Sequence, residues 1–479
     1  MSRIGATISG LDQYFLSHLK DVDNEALKSA IRLATGKQVP KPSYDPAAFF
    51  MISSFENHLN VVESTKTQVD LAANLGSESQ LVLDQTRSNL QSIRDALLLD
   101  EDLSLSSDDR NIQQATIDAA IIAIRDLART EINGRRVFDG SSNYTVSGRN
   151  SAQIQGVQVF SLGAVTEFSG TVTSAATKIL DFYQGASGGI STGDATFTIT
   201  GNRGSAVISV TDGESLEDVE ARVNASSHLT GIEADINPSL PDRLYFRSLD
   251  FGDDALLEID VNSGAFATTR VSTGQDAVVS INGETISSDQ VDGNRVTYAK
   301  NGTHVVFEFD VFNFADGIPA FTGDFDSVTI SDERTQKFAL TPDITKRSTF
   351  AIQGIHPELL GGISGTLDQL ASGGSLSGLG DNTAFAIRVV DEALSKLTVM
   401  EGQVDAFADV TVASASKLLT DFSDDIKNTL ESISEVNEDE ESLKLAKSQT
   451  LASSTLSALA IVQQQRFNTL GLLQLLAGI

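Results

Sequence analysis

The 479-residue sequence contains no Cys and no Trp. Without Cys there can be no disulfide, zinc–thiolate site, iron–sulfur ligation or Cys nucleophile. The absence gives no compartment, because secreted proteins also can lack Cys. Histidine is scarce: His18, His58, His228, His304 and His356 are far apart, and no HExxH spacing occurs. Aromatics make up 6%, mostly Phe, which is thin for several compact globules. Cations are few. The chain has 34 Lys+Arg against 65 Asp+Glu, a net charge of −31. That balance disfavours nucleic acid, whose phosphates need Lys and Arg, and an anionic membrane surface. No apolar run approaches the ~18 residues of a membrane span. The start, Met1-Ser-Arg-Ile, is not followed by an apolar core and a small-residue cleavage site. The expectation is a cytosolic protein, or one exported without a cleaved signal. Enzyme motifs are missing too. Gly185–Gly189 and Gly361–Gly365 do not supply GxSxG, and there is neither a Walker loop nor GxGxxG. Asp250–Asp254 has the features of a turn without EF-hand spacing. No catalytic residue, cofactor or metal is expected.

What is present is helical periodicity at both ends. Ile4, Ile8, Leu11, Phe15, Val22, Ala26 and Leu33 follow steps of three and four, a stripe on a helix. Gly36 ends it, and Pro40 and Pro42 forbid continuation. Asp45-Pro46 offers an N-cap with Pro at the first helical position. The next helix runs to about Leu99, with Val62, Val69, Gly76, Leu83, Leu90 and Leu97 every seven residues. About 50 residues make a rod of roughly 75 Å, for which a compact domain has no use. Ser106 and Asp109 form a capping box for a further helix, and Asn133-Gly134 is expected to stop it. From Gly163 to Pro342 the pattern turns to β. Strands are predicted at Thr196–Thr200, Ala206–Val210, Ile232–Ile236, Leu244–Arg247, Leu257–Val261, Val278–Ile281, Arg295–Tyr298, Val305–Phe309 and Val328–Ile330. Ser215 opens a short helix among them.

After a Gly/Ser-rich stretch, Gly361 to Gly380, the helical stripe returns. It passes through Val390, Ala393, Leu397, Met400, Val404, Phe407, Thr411, Ala415, Leu418, Phe422, Ile426 and Ile433. The acidic run Glu435–Glu441 breaks it, and a last helix carries Leu456, Leu459, Phe467, Leu470, Leu473 and Leu476. Neither end could bury its stripe alone, so the two ends should pack together. The predicted class is α+β multidomain: a long α-helical coiled-coil trunk built from both termini, with a β-rich outer domain inserted. The expected parts are 1–45 (N-terminal helical segment), 46–162 (coiled-coil helices and hairpin), 163–345 (β-rich outer domain), 346–437 (C-terminal coiled-coil helix) and 438–479 (C-terminal helical segment). The terminal helices are weakly stable alone and are expected to order when copies pack.

The stretch Leu33-Ala-Thr-Gly-Lys-Gln-Val-Pro-Lys-Pro-Ser-Tyr-Asp-Pro-Ala-Ala48 resembles the N-terminal signature of bacterial flagellins and of their relatives at the hook–filament junction. Tyr44 stands where that signature usually has Asp. Leu90-x-x-Ile-Arg-Asp95, Asp109-Arg110 and Asn133–Gly140 are similar to the helix, second helix and hairpin of the family. Glu440–Gln449, Gln463–Gln465 and Leu470-Gly-Leu-Leu473 resemble its C-terminus, and Thr196 to Ile236 a small outer repeat. The likeness covers about 150 N-terminal and 100 C-terminal residues well, and its motifs keep their order at both ends of one chain.

The resemblance implies a structural subunit, not an enzyme. It would be exported through the flagellar type III channel and would polymerise into the extracellular flagellar filament. Its implied partners are other copies of itself, the hook–filament junction protein, the filament cap and an export chaperone on the C-terminal helix, with no nucleic acid and no membrane. The subunit interface is expected at Ile4, Ile8, Leu11, Phe15, Leu33, Leu456, Leu459, Leu470 and Leu473. Arg94 matches a helix surface that innate immune receptors read in some flagellins, although the family's Arg-Glu-Leu is Arg-Asp-Ala here; a solvated or inter-subunit Arg is the plainer reading. Within the family, Gly36–Ser43 and Tyr44–Ala48 lean towards a junction protein, whereas the outer repeat and Glu441–Gln449 lean towards the filament subunit. A secreted coiled-coil scaffold or adhesin is the alternative outside it. Asn143, Asn224 and Asn301 fit the N-glycosylation pattern, which in a bacterial chain arises mostly by chance.

Overall fold

The helices begin and end at the chemical signals in the sequence. A computed structural model describes residues 2–100, 106–312, 319–343, 345–377, 379–380 and 383–476. Helix α1 (Ser2–Thr35) stops at Gly36, whose φ of +66° suits a residue without Cβ. Helix α2 (Pro46–Asp100) starts where the Asp45 carboxylate accepts the Ala48 N–H at 3.0 Å. Helix α3 (Ser107–Leu127) carries the capping box of Ser106 and Asp109. It ends before Asn133-Gly134, which instead turns a two-residue hairpin pairing Ile132 with Arg135. The short helices α4 (Leu216–Ala225, capped by Ser215) and α5 (Ser227–Thr230) lie in the β region. Helix α6 (Thr383–Asp405) passes through a π-helical segment, Ala406–Val412, into α7 (Ala413–Ser434), and α8 (Glu438–Leu476) follows. The acidic run does more than break the chain. Glu438, Asp439, Glu440 and Glu441 form the first turn of α8, where their charge suits the exposed N–H groups.

The π segment corrects the predicted stripe. Phe407 is buried, but the next buried residue is Val412, five positions on, followed by Ala415, Leu419, Ser423 and Ile426. Thr411, Leu418 and Phe422, expected inside, are exposed. A π turn takes in one extra residue, so Val412, Leu419 and Ser423 are buried in place of Thr411, Leu418 and Phe422, while Ala415 and Ile426 are buried as expected.

The chain divides into two compact units: one from residues 1–68, 340–344 and 415–479, the other from 69–339 and 345–414. In the second unit α2 and α6 run antiparallel. Arg87 Nε donates to Glu401 at 2.8 Å, Gln80 to Asp405 at 2.8 Å and Arg94 to Asp391 at 2.9 Å. Gly76 lets the backbone of α2 approach the π segment. A Cβ there would lie 2.7 Å from Ala408 Cβ. Phe407 stacks obliquely on Phe338 and Phe350.

The β region of this unit holds two antiparallel lobes. In the first, a five-stranded sheet (Glu284–Thr285, Val278–Ile281, Glu167–Ser174, Gly323–Ser331, Thr145–Ser147) shares a core with a four-stranded sheet (Val291–Asp292, Arg295–Lys300, Thr303–Phe309, Ile154–Ser161). Phe168, Phe307, Phe309 and Phe325 fill that core. The second lobe lies between Ile179 and Ser272 in sequence, inside the first. A four-stranded and a three-stranded sheet pack with α4 around Phe197, Phe246 and Phe266. The expected boundary at 162/163 falls within the first lobe, because Thr145–Ser147 and Ile154–Ser161 are paired into its sheets. Arg135–Phe160 reads as short strands with Gly turns, but the sustained β pattern begins only near Gly163, which sets the expected boundary there.

Candidate functional site

In the first unit, α1 and α8 run antiparallel, and their polar residues fix the register. Glu441 is 2% exposed and accepts from Ser29 Oγ at 2.8 Å and from Arg32 at 3.2 Å. Burial alone would raise its carboxyl, but the bonds from Ser29, Arg32 and Lys444 hold it below the ordinary carboxylate range. Further along, Thr455 meets His18 at 3.5 Å and Arg466 pairs with Asp12 at 3.4 Å. The links between helices also join each other. Gln38 N–H donates to Ser434 C=O at 2.7 Å, and Val436 N–H to Gly36 C=O at 3.2 Å.

The apolar side chains of this pair are mostly left in the open. Among the described residues of α1 and α8, Val22 is the buried large apolar side chain. Leu11, Tyr14, Leu16 and Leu27 on α1 are exposed, as are Leu443, Leu451, Leu456, Ile461, Phe467 and Leu472 on α8. Of the residues expected at a subunit interface, Leu11 and Leu456 are therefore exposed, and Phe15, Leu33 and Leu459 are half-buried. Ile4 and Ile8 lie on α1, and Leu470 and Leu473 on α8; their side chains fall outside the described residues. Arg94 is 37% exposed, and its Nε is held by Asp391.

A second polar cluster sits where the inserted lobe meets α6. Arg388, almost fully buried, pairs with Glu233 and lies 4.3 Å from the centre of the Phe385 ring. Arg247 also reaches Glu233, at 3.1 Å, and Asp235, at 3.5 Å. Burial acts to raise the Glu233 carboxyl, yet Arg388, Arg247 and Lys178 together push it down. Lys178 lies over the Phe251 ring at 4.5 Å. Burial pushes its amine down to about 8, opposed by Glu233 and aided by Arg247 and Arg388. Lys178, Glu233 and Arg247 line a cavity of about 620 Å³ with Phe251, Phe312 and Ile363. Sequence reasoning missed both Glu441 and Arg388. Arg388 does carry a signal, as a lone cation within Ala386-Ile-Arg-Val-Val390.

No helix of the described residues is long and apolar enough to cross a membrane, and no group of His, Asp and Glu among them could hold a metal. Residues 11–143 match the bacterial flagellin N-terminal helical region, and residues 196–250 match the flagellin hook IN motif. No curated protein matches. Among solved structures, hook-associated protein 3 of Legionella pneumophila is similar at 14% identity, over 80% of this chain and 98% of that one, with a TM-score of 0.31. The D2–D3 domains of the Escherichia coli flagellar cap protein are similar at 17% identity, over 39% of this chain and 98% of that one, with a TM-score of 0.27. These structural likenesses are too slight to bear on function. Both family matches are thus of flagellin type, one in the helical N-terminal part and one in the inserted lobe.

Proposed function

We propose that the chain is a structural subunit at the hook–filament junction, outside the cell, assembling by packing its paired α1 and α8 helices against those of other copies. The row of apolar side chains left exposed on both helices carries this reading. Each one buried between subunits contributes about 1.5–3 kcal/mol, so the pair has most of its burial still to gain. The seven-residue repeat on α2 then serves as the seam of a coiled-coil trunk, and the cap and filament proteins are neighbours in the assembly. Before assembly the apolar face of 442–479 suits the groove of an export chaperone. The Pro-containing link Gly36–Pro46 favours the junction. So does the net charge of −31, whose self-repulsion weighs more on a long crowded polymer than on a short ring.

The second reading is the filament subunit itself, which the outer repeat and Glu441–Gln449 favour by their resemblance. Electron microscopy of the purified chain, seeded on isolated hooks and salted to screen its charge, separates the two. Growth that stops after a limited layer supports the junction. Open-ended filaments support the filament subunit. Removing residues 1–30 or 450–479 should leave a monomer that adds to nothing; normal assembly of either truncated chain would sink both readings.

A further inference from the structure

The sequence holds three Asn-Gly pairs, and the structure gives all three the same backbone. Asn133-Gly134, Asn282-Gly283 and Asn301-Gly302 each occupy a two-residue hairpin loop. Their Asn φ values are 53°, 52° and 52°, and the Gly values 75°, 80° and 78°. Both angles are positive, as type I′ turns require. All six residues are exposed to solvent. The turns differ in what holds the Asn side chain. Asn133 Oδ1 accepts from Asn74 Nδ2 at 3.0 Å, and its Nδ2 donates to Leu71 C=O at 3.2 Å. Asn282 Oδ1 accepts from Ser169 N–H at 3.0 Å, and its Nδ2 donates to Glu167 C=O at 3.0 Å. Among the described residues Asn301 has no such clamp, and the side-chain bond made to that turn runs from Ser161 Oγ to the Gly302 carbonyl, at 2.9 Å.

We propose that Asn301 is a spontaneous modification site of this chain, the asparagine at which deamidation and isoaspartate formation concentrate. The backbone nitrogen of Gly302, having lost its proton to base, attacks Asn301 Cγ. The new N–C bond closes a succinimide ring, and the side-chain nitrogen leaves as ammonia. Water then adds to either ring carbonyl and opens the ring. One opening gives aspartate, and the other gives isoaspartate, with an extra carbon in the main chain. No oxidant, cofactor or enzyme is required. Glycine at the second position leaves the attacking nitrogen unhindered at all three sites, so it does not select among them. The selection comes from the amide. Asn133 and Asn282 must give up two hydrogen bonds before Cγ can swing onto the next nitrogen, and Asn301 gives up none. Two modest bonds slow a reaction by about tenfold or more. The product adds a negative charge to the loop joining Arg295–Lys300 and Thr303–Phe309.

The test incubates the full chain in mildly alkaline buffer and follows Asp and isoaspartate at each site by peptide mapping and mass spectrometry. Asn301 should convert about tenfold faster than Asn133 or Asn282. In denaturant, where all clamps are gone, the three rates should converge. Asn74→Ala removes the partner of Asn133 Oδ1 and should accelerate reaction at Asn133 while leaving Asn301 unchanged. Gly302→Ala should suppress reaction at Asn301 alone. Comparable folded-state rates at the three sites would overturn the proposal, as would an Asn301 that stays intact while Asn133 or Asn282 reacts.

Discussion

A buried charge is only as stable as its partner. Replacing Glu233 by Ala strands Arg388 in the core and should cost about 3–5 kcal/mol, read as a lower midpoint in urea. Glu441→Gln keeps the shape but loses the charge in its bonds with Ser29 and Arg32. A loss of about 2 kcal/mol is expected, appearing as faster amide exchange in α1 and α8 and little change elsewhere. Lys178 behaves in the opposite way. Its amine titrates near 8 in the fold and at 10.5 when unfolded, so the unfolded chain holds more protons between those values. Stability should therefore rise with pH from about 8 to 10.5, a slope that Lys178→Met should abolish. The same variant should be more stable than the parent at neutral pH, by up to about 3 kcal/mol. Glu233, held below its ordinary value, contributes stability that is present at neutral pH and lost as acid protonates it. Neither Glu233 nor Lys178 stood out in the sequence. Burial of a charge depends on what a distant segment brings to it, and Glu233 and Arg388 are 155 positions apart. The capping residues Asp45, Ser106 and Ser215 were legible because each acts on its own next turn.

At the scale of elements, a helix declares itself through its own period, and α1 ends at Thr35, just before the Gly36 that the sequence marks as its stop. The strands at Ile232–Ile236 and Val278–Ile281 match the alternation in the sequence. Leu180–Gln184 was missed because its buried face carries Asp181 and Tyr183 while Leu180 and Phe182 are half-exposed, and Thr268–Ser272 because it buries no side chain fully. The π segment was invisible for a different reason. Thr411, Leu418 and Phe422 fit an α stripe well, and only the packing shows that Val412, Leu419 and Ser423 are buried in their place. Gly76 and the π segment meet at one close contact. Gly76→Ala places a methyl 2.7 Å from Ala408 Cβ. The gain in helix propensity, about 1 kcal/mol, should be outweighed by overpacking of about 1–3 kcal/mol, for a net fall in melting temperature. Gly402→Ala, with nothing within 4 Å of the new methyl, should instead raise it by the propensity gain. Deleting Thr411 should convert the π turn to an α turn and leave the remaining stripe buried, so it should be tolerated far better than deleting Thr398. Equal losses in thermal melts of the two deletions would refute this.

For the whole molecule, the order of parts was legible and their nesting was not. Helical ends around a β middle follow from period alone. That the middle is two lobes, one inserted in the other, depends on strands such as Ile154–Ser161 and Thr303–Phe309 finding each other across more than a hundred residues. The assembly surface was legible as a stripe of Leu and Ile, since such a stripe must be covered by something; which copies cover it lies beyond a single chain. The lobes allow a test. A fragment of residues 140–335 retains every strand of both lobes and should show a β-type circular dichroism spectrum with a cooperative melt. A fragment of 165–345 lacks Thr145–Ser147 and Ile154–Ser161 and should melt lower or not at all. If the shorter fragment melts as high as the longer, those two strands are dispensable.

The extra residue at Ala406–Val412 has a consequence for pitch. A strict seven-residue repeat slips by about 20° per heptad against a straight α-helix, and two helices that keep it must wind around each other. Between Val390 and Ile426 the buried positions advance ten steps across 36 residues, including the five-residue step from Phe407 to Val412. The mean step is thus that of an unwound α-helix, 3.6. One inserted amino acid works like a leap day: it cancels over five heptads the phase error that the repeat would otherwise turn into winding.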